Sequence, residues 1–468
     1  MEDDSAHDAK LSSITGREEG LVPAVGLNEE RSAGTSPSSL PAIDLRLYVT
    51  AVLVLASLLF PFAFATAHEP ITTRVRFNKE VVRVLQRSCL GCHHTGGIAM
   101  SLASYEEARP WAKAIKEELL EKRMPPWHAV RGYGEFRNAP RVTQREIDLI
   151  VNWVEGGAPR GDEKDLPSGP LFSDAWALGT PDLVLKPQSE SQVAADADQY
   201  RNFWLAADLK EDRWLTAIDL RPGNASVVHC ATFYLEGGAS TAAPASQPSK
   251  GSNGRSDEPM SPPASNPQPL TSNLCLSTWA PGQRIVALPD GIAQLLPAGS
   301  RIAVTIHYQG AGEATKDLSA VGLYFAKTAP RKQLRQIAIT DPEAIIPASA
   351  ELQRVKTLVT IQDDAEAIAI QPRVHPLVAS MQATAIRPDG TQEILIWARG
   401  YQFDWQQTYY FKQVVALPKG TRVEVIAYFD NSENNAKNPN DPPKQVRWSD
   451  LSSEPLCTLL VARPRNAE

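Results

Sequence analysis

The stretch Arg301-Ile302-Ala303-Val304-Thr305-Ile306 is typical of a short β-strand, because it is rich in β-branched residues and follows a turn signal. Similar stretches occur at 214–218 and 422–426, and turn residues separate such segments throughout this part of the chain. Short strands at this spacing predict antiparallel β-sandwich architecture. The β region is long enough for two tandem sandwiches, which we place at residues 188–328 and 329–466.

Two segments without periodic apolar residues bound and interrupt this β region. Residues 237–273 are rich in Ser, Pro, Ala and Gly, so we expect a disordered insertion within the first sandwich. Residues 162–187 are rich in Pro, Asp and Gly and are predicted to form a linker from the preceding part of the chain.

Helical periodicity marks residues 71–161, which precede the linker. The stretch Thr143-Gln144-Arg145-Glu146 matches a capping box and predicts a helix that begins there and ends at Gly156-Gly157. The sequence therefore predicts a multidomain chain, in which a small all-helical domain is followed by two sandwiches.

The N-terminal part of the chain predicts export. Residues 1–44 are acidic and poor in large apolar side chains, so we expect them to be disordered. Residues 45–67 contain an uncharged apolar run long enough to cross a bilayer, which indicates either a transmembrane anchor or a cleaved signal peptide. Either alternative places the rest of the chain in the periplasm or on the outer face of the inner membrane.

Charge and cysteine content narrow the function classes. The net charge of −7 is spread along the chain without a basic block, so no nucleic-acid partner is expected. No serine, cysteine or carboxylate arrangement indicates a hydrolase. Of five cysteines, three lie far apart in sequence, and an exported compartment permits a disulfide between two of them without fixing the pair.

The chemistry-bearing motif is Cys89-Leu90-Gly91-Cys92-His93. Two thiols at i and i+3 lie on one face of a helical turn, where they reach the two vinyl groups of one porphyrin, and the next imidazole faces the iron. A zinc knuckle needs a second close pair of ligands, and a thioredoxin-like dithiol needs a βαβ setting. The motif therefore predicts a covalent haem c held by Cys89, Cys92 and His93.

The sixth iron ligand is predicted to be Met124, in Arg123-Met124-Pro125-Pro126-Trp127-His128, because the two prolines favour an extended loop that presents the thioether. His128, His94 and Met100 are the alternatives.

The stretches 101–111 and 124–129 resemble bacterial exported cytochromes fused to a copper type II, ascorbate-dependent monooxygenase-like region. That region is similar to peptidylglycine α-hydroxylating and dopamine β-monooxygenases, and the resemblance spans roughly residues 71–466. Further matches are Asp212-Arg213-Trp214, Arg221-Pro222-Gly223-Asn224, Ala280-Pro281-Gly282, Asp430-Asn431-Ser432 with Asn438-Pro439, and Val446-Arg447-Trp448. The resemblance implies jelly-roll-type sandwiches with one copper each, of which one relays electrons and the other binds oxygen and hydroxylates a C–H bond.

Copper ligands are implied only by this resemblance. The first centre corresponds to His229 and His307, with Cys230 where a second adjacent histidine is expected. Cys230 could supply a thiolate ligand to this centre, or one of His229 and Cys230 could face away, because adjacent strand residues point to opposite faces. The alternative is that these histidines are core residues.

The second centre retains His375, but Arg373 and Leu456 replace the expected histidine and methionine. A guanidinium that stays charged opposes metal binding, so this centre is expected to be empty.

These features predict an exported haem c electron-transfer protein whose β region has lost its oxygen-binding copper. Its partner would be a redox protein or a small electron donor. One alternative is an active copper-dependent monooxygenase that receives electrons from the fused haem. Another is a membrane-tethered structural module in which haem only stabilises the helical domain.

Overall fold

Antiparallel β-sheets contain most of the regular secondary structure in the described residues. The computed structural model describes residues 72–140, 142–168, 175–236, 274–373, 375–400, 405–452 and 455–464. The predicted disordered start at 1–44, the apolar segment at 45–67 and the insertion at 237–273 lie outside the described residues. None of the described helices has the length and apolar character needed to cross a bilayer.

Most of the helices precede the strands. In chain order they are a π-helical turn (Phe77–Val81), α1 (Val82–Ser88), α2 (Tyr105–Ala108), a 3-10 turn (Arg109–Trp111), α3 (Ala112–Leu120), α4 (Gln144–Glu155), a 3-10 turn (Glu163–Asp165) and α5 (Trp448–Leu451). The predicted capping box is confirmed, because the side chains of Thr143 and Glu146 each accept a hydrogen bond from the other residue's backbone N–H. Helix α4 ends at Glu155 and is capped by Gly156, which agrees with the predicted stop at Gly156-Gly157. Its Trp153 is fully buried against Phe77 in an apolar core of these helices.

Twenty strands are described, and their bounds are as follows. They are β1 (Leu183–Leu185), β2 (Ser191–Val193), β3 (Asp198–Ala206), β4 (Arg213–Arg221), β5 (Val228–Glu236), β6 (Leu274–Trp279), β7 (Ile292–Leu296), β8 (Arg301–Gln309), β9 (Thr315–Asp317), β10 (Ala320–Phe325), β11 (Lys332–Ile339), β12 (Ile345–Ile346), β13 (Gln353–Thr360), β14 (Ala365–Pro372), β15 (Val378–Ile386), β16 (Gln392–Arg399), β17 (Tyr409–Leu417), β18 (Arg422–Phe429), β19 (Val446–Arg447) and β20 (Cys457–Pro464).

Three large sheets organise these strands. An eight-stranded sheet has the order β1-β10-β4-β7-β11-β20-β14-β17, and two four-stranded sheets have the orders β3-β8-β5-β6 and β13-β18-β15-β16. The pairings are antiparallel except between β7 and β11, which join the first ten strands to the last ten. Each half has its own apolar core. The prediction of antiparallel sheets is confirmed, and the arrangement is consistent with β-sandwiches.

One segment upstream of the linker pairs with the second half of the β region. We call residues 128–137 the edge segment. Ala129 forms a bridge to β16, which is an edge strand of the β13-β18-β15-β16 sheet. Phe136 forms a bridge to β17, which is an edge strand of the eight-stranded sheet. The edge segment therefore covers backbone groups that an open sheet edge would expose. Residues 71–161 were expected to be all-helical, and this segment differs because its partners lie in distant strands.

Candidate functional site

A bulge in β5 brings His229 and Cys230 to the same side of the sheet. Val228 lies opposite Tyr308 and Cys230 lies opposite His307, so His229 is the extra residue between them. A bulge breaks the alternation of side chains along a strand. The alternative in which one of His229 and Cys230 faces away is therefore wrong. Ligand atoms of His229, Cys230 and His307 lie within 4.8 Å of one another.

Hydrogen bonds connect this cluster into a chain. Trp405 Nε1 lies 2.7 Å from His229 Nε2, and His229 Nδ1 lies 3.0 Å from His307 Nδ1. At the other end, His307 Nε2 lies 2.7 Å from a carboxylate oxygen of Asp198. An indole N–H only donates and a carboxylate only accepts. His229 therefore carries its proton on Nδ1 and donates it to His307, whose own proton on Nε2 is donated to Asp198.

The environment keeps the His229 imidazole neutral. Burial, and then the neighbouring His307, lower the pKa of His229 to about 4, although Asp198 opposes this shift. Tyr200 stacks on the His307 ring at 4.2 Å between centroids, with an interplanar angle of 10°. Because Tyr200 and Asp198 are exposed, the cluster reaches the surface on the Asp198 side.

The Cys89–His93 motif extends α1 by one further turn, in which the His93 N–H donates to the Cys89 carbonyl at 3.0 Å. Cys89 packs against the helical core, whereas Cys92 packs against a cluster formed by Cys230, Ala280 and Trp405. Burial raises the pKa of both Cys89 and Cys92 to about 12. The haem-type motif thus adjoins the His229–Cys230–His307 site.

The His93 ring has the tautomer that iron ligation requires. Its Nδ1 lies 3.0 Å from the backbone carbonyl oxygen of Met100. A carbonyl only accepts, so Nδ1 carries the proton and Nε2 carries the lone pair. A backbone carbonyl in this position is a common means of orienting a metal-bound histidine. Together with two adjacent thiols, this geometry fits the donor set of a covalently attached haem.

Two glycines permit the contact between the motif and the first half of the β region. A Cβ added to Gly91 would lie 2.7 Å from the Gly282 Cα. Gly282 has a φ of +69°, and a Cβ there would lie 2.9 Å from the Cys92 sulfur. Only residues without a side chain allow this approach of the two backbones.

The predicted sixth iron ligand lies in the loop that follows α3. Met124 is half-buried, and its N–H donates to the Glu118 carbonyl at 3.2 Å. Its role stays a prediction. Of the alternatives, His128 is buried and accepts a backbone bond from Arg399 at its carbonyl, while Met100 is exposed. His94 is buried, with Nδ1 2.9 Å from the Leu90 carbonyl.

The residues implied for a second copper centre meet in space, but their chemistry does not fit a metal. The Arg373 N–H donates to the Leu456 carbonyl at 2.8 Å, and Leu456 is fully buried. Burial, and then the positive charge of Arg373, lower the pKa of His375 to about 4. His375 Nδ1 accepts a hydrogen bond from the Leu377 N–H at 3.2 Å. This position therefore offers one imidazole beside a fixed positive charge.

The described residues contain one group of three potential metal ligands, which is His229, Cys230 and His307. All five cysteines lie in the described part of the chain, and none forms a disulfide there. Cys457 is fully buried in the core of the second half, and burial raises its pKa to about 12. It packs as a small apolar residue.

Sequence reasoning missed Trp405 and Asp198, which complete the first site. Trp405 precedes β17 and lies 176 residues from His229, and Asp198 lies 109 residues from His307. No local pattern marks either residue, since the sheet pairing alone brings them together. No protein-family model matches the sequence, and a search of curated proteins finds no match.

Proposed function

We propose that the chain is an exported haem c electron-transfer protein whose β region retains one metal site and has lost the oxygen-binding copper. The observation that carries this proposal is the packing of Cys92 against the cluster of Cys230, Ala280 and Trp405, since Trp405 is hydrogen-bonded to His229. A haem-attachment cysteine and two potential metal ligands thus share one buried neighbourhood. Electron transfer between two redox groups requires that the groups lie close together.

Cys89 and Cys92 would hold the haem through thioether bonds, and His93 would bind iron through Nε2. Met124 is the proposed sixth ligand, and thioether ligation raises the haem potential. The bound haem supplies a reversible one-electron carrier. The chain's own residues bury the thiols and fix the imidazole through the Met100 carbonyl. Export is proposed from the haem motif and from residues 45–67, which would anchor or target the chain at the membrane.

The first site has the composition of an electron-transfer metal centre. Two imidazoles and a thiolate are the ligands of blue-copper sites, and thiolates favour soft metals. The two Nδ1 atoms lie 3.0 Å apart. These two nitrogens, together with the Cys230 sulfur, would hold the metal, since the three ligand atoms lie within 4.8 Å of one another.

A small electron donor or a redox protein would reach this region from solvent. An open cleft of about 650 Å³ borders the motif, and Gly91 and Gly282 are among its lining residues. Arg221 and Lys316 also line the cleft and supply positive charge. This supports access for a small electron donor beside the proposed haem.

Metal and haem analysis of the purified full-length chain tests the proposal. We expect one covalent haem and one copper per chain, with the copper lost in Cys230→Ala and kept in Cys457→Ala. Cys457 is the matched control because it is also a buried cysteine and lies outside the cluster.

Two tightly bound coppers with ascorbate-driven oxygen consumption would instead support the alternative, an active copper monooxygenase. For the axial ligand, replacement of Met124 by Ala is expected to lower the haem potential. An unchanged potential would remove that assignment.

A further inference from the structure

The hydrogen bond from Trp405 conflicts with metal binding at His229. A neutral imidazole has one N–H and one nitrogen with a lone pair. If Nδ1 of His229 binds a metal, its proton must move to Nε2, which lies 2.7 Å from the Trp405 N–H. Two donors would then face each other. If Nε2 binds the metal instead, the metal takes the position of the Trp405 proton. In both cases the indole must move.

His307 shows no such conflict. Its Nε2 proton is donated to Asp198 at 2.7 Å, and its Nδ1 lone pair is directed into the cluster. A carboxylate that accepts from the outer nitrogen of a histidine is the usual support for a metal ligand. Of the two imidazoles, His307 is therefore already prepared for a metal, whereas His229 is blocked.

Trp405 is well placed to control this site because its side chain is buried and contacts residues of the other half of the β region. Its side chain is 6% exposed and forms a cluster with Cys230 and Ala280, against which Cys92 packs. Its ring meets the His229 ring edge-on, with 5.5 Å between centroids. The residue belongs to the second half of the β region, while His229 and Cys230 belong to the first.

We propose that Trp405 gates the metal site: its indole N–H holds His229 in a tautomer that excludes the metal, and metal binding displaces it. This inference rests on the proposed function, since it requires a metal at His229, Cys230 and His307. The gate lowers metal affinity by the cost of one broken hydrogen bond. Cys230 loses its proton to solvent when it binds the metal, and the His229 proton passes from Nδ1 to the vacated Nε2.

Cobalt(II) titration of the full-length chain tests the gate, because thiolate-bound cobalt absorbs in the near ultraviolet. Trp405 is replaced by 3-benzothienylalanine, which keeps the shape of the ring and lacks the N–H, and in a second variant by Phe. We expect about fivefold tighter cobalt binding in both, since one neutral hydrogen bond need no longer break. The benzothienyl replacement of Trp448, whose ring meets His375 at 5.8 Å, is the control and should leave affinity unchanged.

A second measurement reports the tautomer without metal. The chain has eight histidines, so nitrogen-15 histidine labelling with His229→Gln as the assignment variant identifies the His229 signals. We expect the proton on Nδ1 in the wild type and a mixture of tautomers in the benzothienyl variant. A wild-type proton on Nε2 would overturn the gate. If the Trp405 variants bind cobalt with the affinity of the wild type, the gate is overturned and the proposed metal site stands. If neither the wild type nor any variant binds cobalt, both the gate and the proposed metal site are overturned.

Discussion

The contact between Gly91 and Gly282 allows a sharp prediction for the variant Gly282→Ala. Gly282 has a φ of +69°, and the added Cβ would lie 2.9 Å from the Cys92 sulfur. Left-handed backbone costs an Ala residue about 1–2 kcal/mol. Forcing a methyl group into a filled space costs about 1–3 kcal/mol more. We therefore expect Gly282→Ala to lower the free energy of unfolding by about 2–5 kcal/mol.

Two further variants separate these contributions. Gly299 has a φ of +72° and no atoms within 4 Å of an added Cβ, so Gly299→Ala should show the backbone cost alone. Gly91 has no left-handed backbone, but its added Cβ would meet the Gly282 Cα at 2.7 Å. Gly91→Ala should therefore show the steric cost alone, of about 1–3 kcal/mol.

Urea denaturation followed by tryptophan fluorescence measures all three variants against the wild type. The expected order of destabilisation places Gly282→Ala above both Gly91→Ala and Gly299→Ala. If Gly282→Ala costs no more than Gly299→Ala, the motif does not pack closely on this loop. Electron transfer between the motif and the metal site would then lack the close contact that we propose.

Three other predictions concern buried groups. In the native chain, iodoacetamide should modify the partly exposed Cys275 and leave Cys457 unmodified, because burial raises the pKa of Cys457 to about 12. Mass spectrometry measures the extent of modification at both cysteines. Because burial lowers the native pKa of His375 from its usual 6.5 to about 4, protonation of this residue should lower the free energy of unfolding by about 2–3 kcal/mol between pH 6.5 and pH 4. The wild type should therefore lose about that much more stability than His375→Gln, and denaturation at both pH values checks this. Asp317→Ala removes the carboxylate that accepts a hydrogen bond from the buried Tyr308 hydroxyl, and it should lower the free energy of unfolding by about 2–3 kcal/mol in urea denaturation. Asp317→Asn should cause a smaller loss.

Local patterns predicted local structure well. The stretches 214–218, 301–306 and 422–426 lie within β4, β8 and β18, because β-branched content and flanking turns act over a few residues. The capping box at Thr143 was found for the same reason. An equivalent box at Ser104 and Glu107 has the same sequence signature and was overlooked.

Features that depend on distant partners escaped prediction. The alternation of a strand argued that His229 and Cys230 face apart, but the bulge in β5 follows from its register with β8. Likewise, Trp405 approaches His229 only because the two halves of the β region pack together. The candidate site was therefore predicted in its ligand types and not in the groups that orient them.

The edge segment also constrains the order in which the chain acquires its structure. The Asn138 side chain, just beyond this segment, binds the Thr408 carbonyl, which lies 270 residues further along the chain. Chain synthesis proceeds at roughly 5–20 residues per second, so these partners emerge about 14–54 seconds apart. Until then, β16 and β17 do not exist to receive residues 128–137. The edge segment must therefore wait for the C-terminal strands, and a truncation before β16 would leave it unpaired and prone to aggregation.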